Sequence, residues 1–197
     1  YIELTQKMAF ILAQWSKSEI RSINITAEGE ILEYLDSLQT FATVGVLAVS
    51  CGDEVNYVNA NFIAKEKGID LTTSEFSNHS GYQNKVSINI TTPTGVKTIS
   101  GTVFNEDVQR IVEINGFPLD IEPKGKMIIM RNHDVPGVIG EVGKILGNNN
   151  INIADFRLSR GKDGALAVIL IDEKACSDVL KKLDSLEAAI AVAYAEI

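Results

Sequence analysis

Apolar residues recur at two different periods along this chain, and the period predicts which segments are helices and which are strands. Three segments carry apolar residues at helical spacing: 1–18, 36–49 and 56–67. In the third segment, Val58, Phe62 and Ile63 are expected to face inward. From Ile69 to Ile121 the apolar positions alternate between short turn sequences, which predicts a series of strands. Helices followed by an antiparallel meander indicate an α+β domain.

The last part of the chain follows a second pattern after Glu122–Gly125, a stretch of linker composition. The predicted strands are 127–132, 151–160, 165–171 and 190–194, and the predicted helices are 136–148 and 174–186. This order is βαββαβ, the ferredoxin-like plan. The apolar phase shifts near Ala154–Asp155, which predicts a bulge. A sheet with helices on one face leaves its other face, or an edge strand, available to a second copy.

These patterns divide the chain into three parts. The predicted parts are a connecting helix at 1–19, an α/β domain with an antiparallel sheet at 20–123, and a ferredoxin-like domain at 126–197. Because Tyr1 already lies in a predicted helix, we expect the sequence to be a piece of a longer protein.

Composition narrows the classes of function. The chain has 45% hydrophobic and 22% charged residues, which is ordinary for a globular protein. Its net charge of −8 argues against nucleic-acid binding through a basic surface. The cysteines, Cys51 and Cys176, lie far apart without metal-ligand spacing, so we expect no zinc site, no disulfide framework and a reducing, cytoplasmic compartment. No apolar run reaches membrane-spanning length, so we expect no membrane association.

The candidate chemistry concentrates in one turn, Asn132–Gly137, between a predicted strand and a predicted helix. Asp134 offers a carboxylate to an ammonium group, and the first amides of the helix lack partners and suit a carboxylate. This pairing predicts a site for a small amino acid. Asp134 before Pro136 is also a common way to cap a helix, and that alternative stays open. His133 beside Asp134 has no nucleophile or metal ligand accompanying it, so we predict no catalytic residue and no metal.

Several motifs resemble one family. Residues 127–197, with Asp134–Gly140 and Ile151–Ala154, resemble an ACT domain, and Phe156–Arg160 is similar to the version at the C-terminus of bacterial D-3-phosphoglycerate dehydrogenases. Four further motifs resemble the intervening, allosteric substrate-binding domain of the long form of that enzyme: Val55–Ala60, Ala64–Ile69, Ser100–Thr102 and Ile114–Gly116. The resemblance covers nearly the whole chain, and the two modules in tandem are more specific than the ACT pattern alone.

The resemblance implies a regulatory function. In many members of the family, serine binds between the ACT domains of two subunits and inhibits the NAD-dependent oxidation of 3-phosphoglycerate, the first committed step of serine synthesis. The position that matches Asp134 contacts the serine ammonium, and the position that matches Asn152 reaches serine from the second subunit. In some members a His stands at the position of Asn132, so His133 does not inherit that role automatically and stays an adjacent polar candidate. The resemblance thus implies self-association through ACT domains and an effector site with these candidates: Asn132, His133, Asp134, Val135, Pro136, Gly137, Val138 and Asn152.

The nucleotide-binding and catalytic domains of the family lie N-terminal to these two modules. Glycines at 137–143 follow a predicted strand, but their spacing does not match GxGxxG and no acidic strand end follows at the expected distance. We therefore expect this segment to hold no cofactor, since NAD belongs to the parent enzyme, and to turn over no substrate.

The resemblance also suggests an anion-binding site. Some long-form members bind a phosphorylated ligand in the intervening domain through cationic side chains. Arg110 matches one of these cations, whereas Glu122 and Ile171 stand where other members carry cations. Lys124 and Lys126 lie close in sequence and are candidates to replace them. The alternative is that all three cations are ordinary surface charges.

Two rival hypotheses stay open. One is that the two modules serve assembly alone and that the effector site is lost. The other is that the chain is a subunit of an iron–sulfur L-serine dehydratase, which shares the module pair. Such an enzyme needs a cluster-binding set of cysteines, or a companion chain that carries one.

Overall fold

The computed structural model describes residues 1–16, 18–77 and 80–197. His79, for which the polar sequence around it predicts a solvated loop position, lies outside the described residues. Contacts divide the chain into two compact units, Tyr1–Gly116 and Phe117–Ile197. The helices of the first unit are α1 (Ile2–Trp15), α2 (Leu35–Cys51) and α3 (Ala60–Glu66), with short 3-10 helices at Glu30–Tyr34 and Gly52–Glu54. Its strands are β1 (Ser22–Glu28), β2 (Asp70–Glu75), β3 (Lys85–Thr92), β4 (Gly95–Phe104) and β5 (Val108–Ile114).

In the first unit the strands of the sheet follow the order β2-β1-β3-β4-β5, and the second unit begins with β6 (Phe117–Ile121). The α+β class is confirmed, but the predicted meander differs in one strand. β2 pairs with β1 in parallel, with Ile25 opposite Thr73, while β1, β3, β4 and β5 pair antiparallel. The reason is the connection, because α2 and α3 lie between β1 and β2 and return the chain to the edge in the same direction.

The helix predicted as a connector contributes buried side chains to the first unit. Leu4, Met8 and Leu12 of α1 are fully buried, and α1 packs against both α2 and β4. The two helices approach closely, because a Cβ on Gly45 would lie 2.3 Å from the carbonyl oxygen of Gln6.

The inward face of the third helical segment was predicted wrongly. Val58 is 77% exposed and Phe62 is 63% exposed, and α3 begins only at Ala60. Its buried positions are Ala60 and Ala64 instead. Small side chains let this short helix lie close to α2 and β2, so its large apolar residues point outward.

One stretch corrects the expectation about membrane-spanning length. Residues Glu30–Glu54, which comprise α2 and the 3-10 helices beside it, are long and apolar enough to cross a membrane by length and composition. A buried core helix passes the same test. Because Leu38, Ala42 and Val46 of α2 are buried in their own unit, this stretch is weak support for a membrane span.

The second unit confirms the βαββαβ plan. Its elements after β6 are β7 (Lys126–Asn132), α4 (Val138–Asn148), β8 (Ile153–Gly161), β9 (Gly164–Ile171), α5 (Ser177–Asp184) and β10 (Ala189–Glu196). The sheet order is β10-β7-β9-β8, and neighbouring strands are antiparallel. The predicted bulge is confirmed by a register shift between Ile153 and Asp155. Side chains from Ile128, Met130, Val142 and Leu146 belong to the core beneath α4 and α5.

The other face of this sheet is not open to a second copy. Ile129, Leu166 and Val168, which alternate with the core residues, are each about 1% exposed. That part of the expectation is corrected. The alternative, an edge strand, agrees with the sheet order, which places β8 at one edge.

Candidate functional site

A cleft of about 480 Å³ lies where the turn after β7 meets the start of α4 and the helix-facing side of the sheet. The predicted candidates that line it are Asn132, Asp134, Val135, Pro136, Gly137 and Val138. The other lining residues are Met130, Ile139, Gly140, Val142, Phe156, Leu158, Arg160 and Ala167. Six of the eight predicted effector residues are thus brought together by the fold.

Asn132 supplies a buried donor to this cleft. Its side chain is 2% exposed, and its Nδ2 has no hydrogen-bond partner among the described residues. The hairpin between β8 and β9 fixes its backbone, because Gly164 adopts a φ of +103° directly beside the Asn132 carbonyl. A buried donor without a partner costs stability, and a ligand acceptor would satisfy it.

Asp134 forms an ion pair at the mouth of the cleft. The Arg160 Nε donates to Asp134 Oδ1 at 3.0 Å, and the side chains are 72% and 34% exposed respectively. Asp134 does not cap the helix, since α4 has Gly137 at its N-cap, with φ +97° and no side-chain cap. The capping alternative is therefore wrong, and the helix begins two residues later than predicted.

The start of α4 provides amide donors. Val138, Ile139 and Gly140 form its first turn and line the cleft, and the first helical hydrogen bond joins the Glu141 amide to the Gly137 carbonyl. Amides ahead of that bond have no partner within the helix, and the helix dipole adds positive potential there. Together with Asn132, Asp134 and Arg160, they give the cleft donors, a carboxylate and a cation.

His133 and Asn152 lie outside the cleft. The His133 amide donates to the Ala188 carbonyl at 2.8 Å. The Asn152 Nδ2 donates to Asp172 Oδ2 at 2.6 Å, and its amide donates to Glu173 Oε2 at 2.7 Å. Asn152 precedes Ile153, which pairs with Ile171 at one end of β9, whereas Asn132 pairs with Ala165 near the other end. In one chain, therefore, Asn152 does not reach the cleft, and both residues stay predictions.

The three anion-site candidates have different surroundings. Arg110 lies on β5 opposite Thr102 in the first unit. In the second unit, Lys124 Nζ lies 2.6 Å from Glu122 Oε2, and Lys126 Nζ donates to the Asp172 carbonyl at 2.7 Å. Each lysine is thus engaged within its own unit, and the anion site stays a prediction.

Sequence reasoning missed the contribution of β8 to the cleft. Phe156, Leu158 and Arg160 alternate along this strand and all line the cleft. The alternation after the bulge was visible in the sequence, but the pairing of Arg160 and Asn132 with the same residue, Ala165, was not. Three apolar residues at the cleft are also exposed to solvent: Val135 (50%), Ile139 (52%) and Leu158 (39%).

The described residues contain no group of three or more His, Cys, Asp or Glu side chains placed to hold a metal ion. Cys51 and Cys176 are both free thiols.

Comparison with known proteins supplies a family for each unit. Residues 1–115 match the family described as D-3-phosphoglycerate dehydrogenase intervening domain, and residues 126–188 match the ACT domain family. A D-3-phosphoglycerate dehydrogenase of Bacillus subtilis is 36% identical over 172 residues, which is 87% of this chain and 33% of that protein. Relatives of the same name from Archaeoglobus fulgidus (29% identical, 100% of this chain, 38% of that protein) and Synechocystis (27%, 93%, 34%) also match.

The chain spans about a third of the length of these curated relatives. Among solved structures, a homoserine dehydrogenase from Thiobacillus denitrificans matches 57% of this chain and 33% of its own with 11% identity. Its TM-score of 0.29 is too low to define a common fold.

Proposed function

Because the chain belongs to the family of D-3-phosphoglycerate dehydrogenase intervening domains and carries an ACT domain behind it, we propose that it is the regulatory part of such an enzyme. In this proposal it binds L-serine as a feedback inhibitor. The observation that carries the proposal is the cleft, where a carboxylate, a buried unpartnered amide donor and the amides of a helix start converge. The whole protein then oxidises 3-phosphoglycerate with NAD, bound outside this chain, in the cytoplasm.

Serine matches the groups of the cleft one by one. Its ammonium binds the Asp134 carboxylate, since a charge-assisted hydrogen bond contributes about 1.5–3 kcal/mol. Its carboxylate binds at the first turn of α4, where unpaired amides and the helix dipole favour an anion. Its hydroxyl accepts from the Asn132 Nδ2. The three contacts together select a small hydroxylated amino acid.

A second copy completes the site through the edge strand β8. If two β8 strands pair antiparallel about a two-fold axis near Arg157, the start of one strand lies beside the end of the other. Asn152 of one copy would then lie near Asp134 and Arg160 of the next. The same pairing would cover the exposed side chains of Val135, Ile139 and Leu158, which supports self-association.

Regulation follows from linkage. Serine can inhibit a distant active site only if it binds one arrangement of subunits or domains more tightly than another. A site shared by two copies has this property, because the ligand joins groups that exist together only in one arrangement.

Titration calorimetry of the chain with L-serine tests the proposal. We expect saturable binding by the unmodified chain and none by Asp134→Ala. Glu196→Ala is the matched control, because Glu196 is a similarly exposed carboxylate (39%) that pairs with Lys174 and lies on β10, at the edge of the sheet opposite β8. Absence of serine heat from the unmodified chain at millimolar concentration would overturn the serine site.

The assembly-only hypothesis makes a different prediction. The exposed Val135, Ile139 and Leu158 favour self-association whether or not a ligand binds. A chain that sediments as a dimer and binds no serine would therefore be an assembly module, and Leu158→Glu would dissociate it.

A further inference from the structure

Arg160 is the one cation among the described residues that line the cleft. Its partner, Asp134, is the carboxylate that the proposed function assigns to the effector ammonium. The Asp134 carboxylate is therefore already paired with one cation. An incoming ammonium must share this carboxylate with Arg160 or displace Arg160 from it. What happens to Arg160 decides how the site recognises its ligand.

We propose that Arg160 binds the effector carboxylate together with the first-turn amides of α4, so that the zwitterion inserts into the Arg160–Asp134 ion pair and contacts both of its charges. This inference rests on the proposed function and names a residue that discriminates among ligands. Each charge of the pair exchanges one partner for another, so binding leaves no charge unpaired. An amine or an acid alone would bind one of the two groups and gain one charge-assisted contact instead of two.

The geometry of the pair leaves Arg160 able to do this. Only its Nε contacts Asp134, at 3.0 Å, and its other guanidinium N–H groups have no partner among the described residues. A guanidinium carries five donors in a plane and binds a carboxylate through two of them. Arg160 can therefore donate to a ligand carboxylate once its Nε has left Asp134.

Because the Arg160–Asp134 ion pair is exposed to solvent, opening it for a ligand requires little free energy. The Arg160 side chain is 72% exposed and the Asp134 side chain 34%. Ion pairs this open to water contribute little to stability, so opening the pair has a small cost. Unlike Arg160, Asn132 is buried, and the Gly164 hairpin fixes its backbone. Asn132 is therefore the rigid side of the same site.

Strand register places the ligand between Arg160 and Asn132. Both residues pair with Ala165, one from each side, so they lie in one row across three strands, roughly 10 Å apart. Alternation with Ala167, which lines the cleft, puts these three side chains on the helix-facing side of the sheet.

Ligand discrimination tests the assignment. Calorimetry with L-serine and L-serinamide is done at about pH 6, where both amino groups are protonated, so the two ligands differ in the carboxylate alone. We expect the unmodified chain to prefer serine by at least about tenfold, because a carboxylate–guanidinium contact is charge-assisted. In Arg160→Gln this preference falls by at least about threefold, because serine loses the guanidinium contact. Serinamide binds at least as well as before, because its ammonium no longer competes with Arg160 for Asp134.

The control is Lys174→Gln. Lys174 Nζ lies 3.3 Å from Glu196 Oε2, its side chain is 71% exposed, and it is not among the residues that line the cleft. We expect this variant to retain the preference, and Arg160→Lys to restore part of it. Thermal unfolding of each variant checks that the fold is retained.

The outcomes separate the inference from the proposed function. Serine binding that keeps its preference over serinamide in folded Arg160→Gln overturns the role of Arg160 and leaves the serine site intact. Absence of serine binding by the unmodified chain overturns both, since Arg160 then has no effector carboxylate to bind.

Discussion

Gly164 and Asn132 are so close that a Cβ on Gly164 would lie 2.3 Å from the Asn132 carbonyl oxygen. Gly164 also has a φ of +103°, a conformation that residues with a Cβ rarely adopt. The hairpin that joins β8 to β9 therefore holds the buried wall of the cleft in place. This contact connects the stability of the second unit to the geometry of its candidate site.

Gly164→Ala is expected to destabilise the second unit and to weaken serine binding. Strain alone costs about 1–2 kcal/mol, and the clash with Asn132 adds to it. Urea unfolding measures the loss. Gly125→Ala is the control, because Gly125 has a φ of +63° in the same unit but no atom within 4 Å of its Cβ position. Equal losses in the two variants would show that the contact with Asn132 is unimportant.

Asn132→Leu is expected to stabilise the free chain while it abolishes serine binding. The substitution removes a buried donor that lacks a partner, which is worth up to about 1 kcal/mol when the cavity accepts the new side chain. Ser100→Ala is expected to lower the free energy of unfolding instead, since the buried Ser100 hydroxyl donates to Ser87 Oγ at 2.9 Å. Urea unfolding without ligand measures both. A stability loss in Asn132→Leu as large as in Ser100→Ala would mean that Asn132 has a structural partner.

Mixing two inactive variants is expected to restore serine binding. If Asp134 and Asn152 of different copies form one site, Asp134→Ala and Asn152→Ala each bind no serine alone. In an equimolar mixture half of the dimers are mixed and one site in each is intact, so about a quarter of all sites bind. Calorimetry of the re-equilibrated mixture gives this stoichiometry. A mixture as inactive as its components would place both residues in the same chain's site, or Asn152 in none.

Alkaline pH is expected to destabilise the chain through Tyr194. Burial, together with a hydrogen bond to Glu196, raises the pKa of Tyr194 from 10.0 to about 12. The fold therefore favours the protonated phenol, and this stabilisation is complete below pH 10.0 and is lost as the pH rises toward about 12. Urea unfolding on both sides of pH 10.0 should show a loss that Tyr194→Phe lacks. Tyr57→Phe, at an exposed ring, should retain the loss; a wild-type-like slope in Tyr194→Phe would contradict the account.

The pKa of Glu196 shifts in the opposite direction from that of Tyr194. Hydrogen bonds from Tyr194 and Lys174 hold the pKa of the Glu196 carboxyl below its ordinary value. Its contribution is therefore present above the ordinary value of 4.5 and is lost as the pH falls below it. The pair thus affects stability at both ends of the pH range, with opposite signs.

Periodicity predicted the second unit well because its helices each have one apolar face and its central strands, β7 and β9, are continuous apolar runs. The βαββαβ order and even the bulge before Asp155 were readable from the phase of the apolar residues. The first unit was less readable. Phe62 lies at a helical position that would normally be buried, but Ala60 and Ala64 form the buried face of α3 instead. The sequence alone does not determine which of the two faces packs inward.

The candidate site was half predicted. The turn from Asn132 to Val138 is local, so its residues were identified together. Arg160 was missed because its place beside Asp134 depends on strand register, a long-range property. The Asn132 side chain was included without the reason for its importance, which is its buried and unpartnered Nδ2.

An NMR titration of the 15N-labelled chain with L-serine tests the central claim most directly. The account predicts saturable shifts at the Asn132 side-chain amide and at the backbone amides of Val138, Ile139 and Gly140. Groove residues elsewhere, such as Ser50 and Ile69 in the first unit, should not move. Shifts confined to the first unit, or no shifts at millimolar serine, would contradict it.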